Sequence, residues 1–317
     1  MSSSLSSRHV VIAALIGNVL VAATKTAAAF WTGSSAMMSE SLHSFVDCGN
    51  EVLLLYGQHR AAQRPDAEHP LGHGRELYFW SFIVALLIFA IGSGVSLYQG
   101  IAQLRAPEPI RDPGVNYAVL ALALVFEGVS WAISFKQFRS TTARGRHTFY
   151  EAFRRSKDPP SFMVLFEDSA ALLGILIAAG GTFAATHWHR PEFDGMASIL
   201  ISLVLGGIAT VLARESKSLL IGESANSELT RSIIDIAAQN PAVLRVNGLL
   251  TAQLAPDQIL VALSLEFADT LRVPELEERV IQIERSIRER HGEITALFVK
   301  PQTPKTFSAA RDDRFGV

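Results

Sequence analysis

The stretch Ser39-Glu40-Ser41-Leu42-His43-Ser44-Phe45-Val46-Asp47-Cys48-Gly49-Asn50 puts an imidazole, carboxylates and an amide inside the otherwise apolar run Ala36–Tyr56. His43 and Asp47 are four residues apart, so a helix stacks them one turn apart on one face, and Asn50 extends that face. Ionisable groups at membrane depth are costly and by default mark a pathway or a binding site. Imidazole plus carboxylate at this spacing can supply two corners of a divalent-metal site. A His43–Asp47 hydrogen bond that only stiffens a helix interface accounts for the pair equally well. Cys48 points off this face and reads as a plain buried thiol.

Working outward, apolar runs over 10–30, 36–56, 77–101, 115–138, 161–186 and 193–212 are each long enough to be a spanning helix. A crossing needs about 20 apolar residues. Of the 317 residues 49% are hydrophobic and only 18% charged, against roughly a quarter charged in soluble domains. The shortage falls in residues 1–221, while 222–317 read as an ordinary aqueous domain. The net charge of −2 gives no reason to expect a nucleic-acid partner, and a single cysteine excludes an intramolecular disulfide or a thiolate zinc cluster. The first apolar run is too long for a cleavable signal and is expected to be a permanent span.

Basic residues divide sharply between the two sides. Arg60, Arg64, Arg75, Lys136, Arg139, Arg144, Arg146, Arg154, Arg155, Lys157, Arg214 and Lys217 follow the even-numbered spans, against Arg105, Arg111 and Arg190 opposite. The positive-inside rule makes both termini cytoplasmic. Lys25, within the first span, reads as a lysine snorkelling to the interface beside Trp31.

Residues 222–303 change period. Leu229, Ile233 and Ile236 mark an amphipathic helix ending at Asn240-Pro241. Strands are expected over Val243–Leu254 and Ile259–Phe267, split by a Pro256-Asp257 turn. A second helix from Pro274, with Gly292 as its C-cap, leads to a strand over Ile294–Val299. The order α-β-β-α-β implies a small ferredoxin-like α+β domain. Residues 304–317 are expected to be a disordered tail.

Three further places carry chemistry. Glu167 and Asp168 are adjacent in the fifth span, point about 100° apart, and would repel each other unless a cation or a proton joined them. Glu167, Ala170, Gly174, Ala178 and Gly181 form a small-residue stripe for close helix contact, which turns Glu167 into the bundle and leaves Asp168 at its flank. Glu127 lies mid-way along the fourth span, as a proton-relay acid or a partner of another buried group. In the loop after the second span, Asp66, His69 and His73 could hold a metal, or be incidental groups of a solvated Gly-rich loop.

Together these residues resemble the cation diffusion facilitators, the divalent-metal efflux carriers related to the zinc transporters. The resemblance covers about residues 8–302. It rests on Gly33-Ser34-Ser35-Ala36-Met37 leading into His43-x-x-x-Asp47, on His69-Pro-Leu-Gly-His-Gly-Arg, on the fifth-span acid, on Asp194 and on the closing Phe298-Val299-Lys300-Pro301-Gln302. Glu127-Gly128-Val129-Ser130, Lys157-Asp158-Pro159 and Glu167-Asp168-Ser169-Ala170-Ala171 look most like the zinc transporter 9 branch and its bacterial relatives. The resemblance implies a homodimer paired through its cytoplasmic domains, no cofactor, and zinc export against protons from a site at His43, Asp47 and Asp168. If the chain is bacterial, it implies the inner membrane. The ligand usual four residues before the fifth-span aspartate is replaced by Val164, and Glu167 is the expected substitute, with Asn50 and Glu127 in support. One imidazole with up to three carboxylates widens the candidates to manganese, iron or cobalt. A non-transporting membrane scaffold is the main alternative. A metal-dependent membrane hydrolase ranks last, for want of an H-E-x-x-H motif or a nucleophile elbow.

Overall fold

The computed structural model describes residues 2–142 and 157–315. Arg144, Arg146, Arg154 and Arg155, used above for orientation, lie outside the described residues. The chain forms two compact units, Met1–His59 with Glu76–Lys217, and Arg60–Arg75 with Ser218–Val317.

The first unit is built from long helices: α1 (Ser2–Thr32), α2 (Ser35–Ala61), α3 (Glu76–Arg105), α4 (Pro113–Thr142), α5 (Pro159–His187) and α6 (Glu192–Leu220). Among the described residues, four of them are long and apolar enough to cross a membrane: α3, the Pro113–Lys136 part of α4, α5 and α6. The polar residues Glu40, His43, Asp47, Asn50 and Glu51 lower the apolarity of α2. A π-helical turn at Ile88–Ser93 interrupts α3.

Two apolar clusters hold these helices together. Ala28, Met37, Leu120, Ile175 and Ile201 belong to one, and Val46, Leu54, Phe162, Met163 and Leu212 to the other. Along α5 Glu167 and Asp168 fall between the two clusters, as Glu40 and His43 do on α2, while Asp47 and Asn50 lie within the second cluster's stretch of α2, between Val46 and Leu54. The small-residue stripe of α5 is buried throughout. A Cβ on Gly174 would collide with Glu40 of α2, and one on Gly181 with Ala197 of α6.

The second unit contains α7 (Ser227–Ala238), β1 (Val243–Ala255), β2 (Gln258–Phe267), α8 (Val273–Arg290), β3 (Ile294–Pro301) and α9 (Pro304–Phe315). The strand order is β1-β2-β3, with β1 antiparallel and β3 parallel to β2. Ile259, Val261, Leu263, Leu265 and Phe267 are buried along β2, as a half-buried strand requires. They pack with Ile233 of α7 and with Ile283 and Ile287 of α8.

Two expectations are corrected here. Helix α8 is capped by His291, not Gly292; the His291 N–H donates to Ile287 O, and no left-handed φ occurs at Gly292. The tail expected over residues 304–317 is not disordered through residue 315, since a helix occupies Pro304–Phe315; residues 316–317 lie outside the described residues. The half-buried ring of Phe307 lies where a Cβ on Gly248 of β1 would stand. A glycine in the sheet thereby opens a seat for this helix.

Candidate functional site

The geometry starts at the turn into α2. Gly33 takes φ +70°, which glycine adopts without strain. Asp194, in the first turn of α6, receives Ser34 Oγ at 2.6 Å on one carboxylate oxygen. Its other oxygen receives the backbone N–H of Ser35 at 2.5 Å and that of Ala36 at 3.4 Å. A helix N-terminus has unpaired N–H groups and a positive dipole end, so a buried carboxylate there is well compensated. One turn on, Ser39 and Ser198 share a 2.6 Å hydrogen bond. These contacts set which face of α2 looks inward.

His43 is 1% exposed, and its Nδ1 stands 3.3 Å from Asp47 Oδ1. Among the described residues, neither ring nitrogen nor Asp47 Oδ1 has a hydrogen-bond partner. On α5 the two adjacent acids diverge. Glu167 is buried and accepts from Asn50 Nδ2 at 3.0 Å. Asp168 turns to α4, accepting from Ser134 at 2.9 Å and Ser130 at 3.2 Å. A cavity of about 460 Å³ opens among α1, α2, α4 and α5, lined by Asp47, Glu51, Glu127, Glu167, Asp168 and Val164 among others. It gathers four of the expected residues, Asp47, Glu127, Glu167 and Asp168. His43 lies outside its wall, and Asn50 reaches it only through Glu167.

Lys25 departs from expectation. It does not snorkel: its side chain is fully buried. Nζ donates to Glu40 Oε2 at 3.1 Å and to Ser44 Oγ at 2.9 Å, and stands 3.8 Å from Glu127 Oε1. Glu40 supplies the reason. It precedes His43 and Ser44 by one turn on the inward face of α2, and a buried carboxylate compensates an ammonium that would otherwise seek the interface. Glu40 is a site residue that hydropathy alone does not single out, although its i, i+3, i+4 spacing to His43 and Ser44 carries the signal. Ser130 and Ser134 were missed likewise; with Glu127 they form an i, i+3, i+7 stripe on α4.

Among the described residues only Asp66, His69 and His73 bring three ligand atoms within 4.8 Å of one another. They belong to the loop that folds with the second unit. Asp66 Oδ1 accepts the N–H of His69 at 2.6 Å and that of Glu68 at 2.9 Å. Its Oδ2 lies 3.1 Å from His73 Nε2. The His69 N–H above all, with the His73 ring, holds the Asp66 carboxyl below the usual carboxylate range. Gly72 turns the loop at φ +84°. A Cβ on Gly74 would come within 2.6 Å of Gln258 Oε1 and 2.8 Å of Ala255 Cβ, so the loop backbone rests on the β1–β2 turn.

An acid-lined cavity among long helices, two of them apolar enough to cross a membrane, marks a membrane protein that handles cations. The chain belongs to the cation efflux family, the cation diffusion facilitators: the family model described as cation efflux transmembrane domain matches residues 11–221. It is 31% identical over 258 residues to the proton-coupled zinc antiporter SLC30A9, mitochondrial, of Xenopus laevis, covering 81% of this chain and 46% of that protein. It is 32% identical over 223 residues to metal tolerance protein C4 of Arabidopsis thaliana, covering 70% of this chain and 49% of that one. The cation-efflux pump FieF of Escherichia coli O127:H6 is 27% identical over 287 residues, covering 87% and 89%. The chain thus spans about half the length of the first two relatives and most of the third.

Proposed function

We propose that this protein is a secondary transporter that exports a divalent cation, zinc first, in exchange for protons. The observation that carries the reading is the cavity lined by Asp47, Glu127, Glu167 and Asp168 in helices that are otherwise apolar. With Glu51, five carboxylates line one space, and they need a cation or protons to offset their repulsion. The names of the relatives, a zinc antiporter coupled to protons and a cation-efflux pump, support the choice of cargo and driving ion.

In this reading α1–α6 are six spans with both termini cytoplasmic, residues 1–221 are the membrane domain, and residues 222–303 pair two copies into a homodimer. A bacterial host would carry it in the inner membrane. The cation enters from the end of the cavity marked by Gln58 and Pro160 and is held by Asp47 with Glu167 or Asp168. His43 joins after a small rotation of its ring. Ligands must be deprotonated to bind metal, so protons arriving from the opposite side discharge the cargo. Asn50 steadies Glu167, and the loop set Asp66, His69 and His73 is a second metal site. Val164 on the cavity wall leaves a donor set rich in oxygen, which favours a second reading in which manganese, iron or cobalt shares the pathway.

Reconstituted vesicles with a pH gradient test this. Zinc uptake is expected to follow the gradient and to be lost in Asp47→Ala and Asp168→Ala, while Val164→His sharpens the preference for zinc. Absence of gradient-driven flux for zinc, manganese, iron and cobalt alike would end the carrier reading.

A further inference from the structure

We propose that Lys25 is a tethered competitor of the transported cation. Its ammonium holds Glu127 while the cavity is empty, yields it to a divalent ion, and reclaims it on release. The proposal rests on reading the cavity as the transport site.

The geometry separates a fixed partner from an exchangeable one. Glu40 is fixed: it is fully buried, hydrogen-bonds Nζ at 3.1 Å, and is wedged against Gly174. Glu127 is exchangeable: its Oε1 is 3.8 Å from Nζ, within ion-pair reach but beyond hydrogen-bond length. It is 17% exposed and lines the cavity, where a cation can reach it. Ser44 Oγ accepts a second hydrogen bond from Nζ at 2.9 Å and also lines the cavity, so the ammonium sits directly behind the wall. Among the described residues Glu40 Oε1 has no hydrogen-bond partner, so the Lys25 bond to Oε2 is the support seen for that buried carboxylate.

Two consequences follow from charge. A divalent ion carries twice the charge of the ammonium and can draw Glu127 away from it. A monovalent ion gains nothing over a cation already tethered in place, so Lys25 selects for divalent cargo. Lys25 also lowers affinity while hastening release, because the vacated carboxylate is neutralised at once. If Lys25 occupies Glu127 for about nine-tenths of the time, the apparent Kd is raised about tenfold.

The test uses the full-length protein in lipid nanodiscs, titrated calorimetrically with Zn²⁺ alone at fixed pH, together with vesicle flux. Lys25→Met could strand Glu40, so Lys25→Met/Glu40→Gln removes both charges together, and Lys25→Arg keeps the cation. The double variant is expected to bind Zn²⁺ about tenfold tighter, to turn over several-fold more slowly, and to become sensitive to Na⁺ where wild type is not. Lys25→Arg should follow wild type. A purely structural lysine would weaken binding and turnover together. A folded double variant with that pattern, or with both quantities unchanged, overturns the proposal while Asp47→Asn still abolishes binding in wild type. Binding that survives Asp47→Asn sinks the cavity reading, and the proposal with it.

Discussion

Replacing Gly174 by alanine tests whether Glu40 is locked between Lys25 and α5. The new methyl would collide with Glu40 Oε1 and come within 3.2 Å of its Cδ. The carboxylate must then retreat by on the order of 1 Å, which it can do only by stretching its 3.1 Å bond to Lys25 or by pushing α2 away. Overpacking costs about 1–3 kcal/mol, and disrupting a buried ion pair costs about 3–5 kcal/mol when a partner is lost outright. Here the partner is displaced rather than lost, so about 2–4 kcal/mol is expected. At about 2–4 °C per kcal/mol for a domain of this size, Tm falls by roughly 4–16 °C. The assay is thermal unfolding of the full chain in detergent, followed by tryptophan fluorescence. Gly180→Ala is the control, because a Cβ there meets nothing within 4 Å. Helix propensity favours alanine over glycine by about 1 kcal/mol, so the control should be neutral or slightly stabilised. A Gly174→Ala melt that coincides with the control would refute the lodged Glu40.

Other consequences can be checked by similar means. Asp194→Ala strips the first turn of α2 of its acceptor and is expected to cost about 2–3 kcal/mol in the same melt, with Asn recovering part of it; a neutral alanine variant would show that the cap is idle. The Asp66 carboxyl is held below its ordinary value, so its contribution to loop order is complete above the ordinary aspartate pKa of about 3.9 and fades as the pH falls through its lower folded value. Hydrogen exchange at the His69 amide should therefore quicken on acidification below that point, and Asp66→Asn should exchange fast at every pH. Phe307→Ala removes a half-buried ring from its seat at Gly248 and is expected to cost about 1–2 kcal/mol. Proteolysis would then cut within 304–315 faster than in wild type, and equal rates would mean that α9 is not docked there.

The sequence yields elements more readily than partners. The alternation Ile259, Val261, Leu263, Leu265, Phe267 identifies β2 because a pleat buries every second side chain, whatever lies across the core. The small stripe of α5 likewise turns Glu167 inward. What periodicity lacks is the identity of the opposing helix. Lys25 reads as a snorkelling lysine because nothing local to α1 reveals that Glu40 and Glu127 face it from α2 and α4. Asp168 looked like a flank residue, and its serine partners lie a whole helix away in sequence. The C-terminal helix was hidden for a similar reason, since Pro304–Phe315 has little amphipathic pattern and depends on a glycine in β1.

The cap at Asp194 also bears on how the cavity could change shape. It ties α2 to α6, as the Ser39–Ser198 bond does, while Asp168 with Ser130 and Ser134, and Trp131 with Ser169 at 3.0 Å, tie α4 to α5. Among the described residues, two polar contacts join those pairs along the cavity: Asn50 with Glu167 at 3.0 Å, and Glu127 with Lys25, which α2 holds through Glu40. Polar ties between the two braced pairs are thus sparse along the cavity, while close packing at Gly174 and Gly181 joins them beyond it. The side chains that bridge the cavity carry carboxylates, so a cation that claimed one of them would loosen the joint around itself.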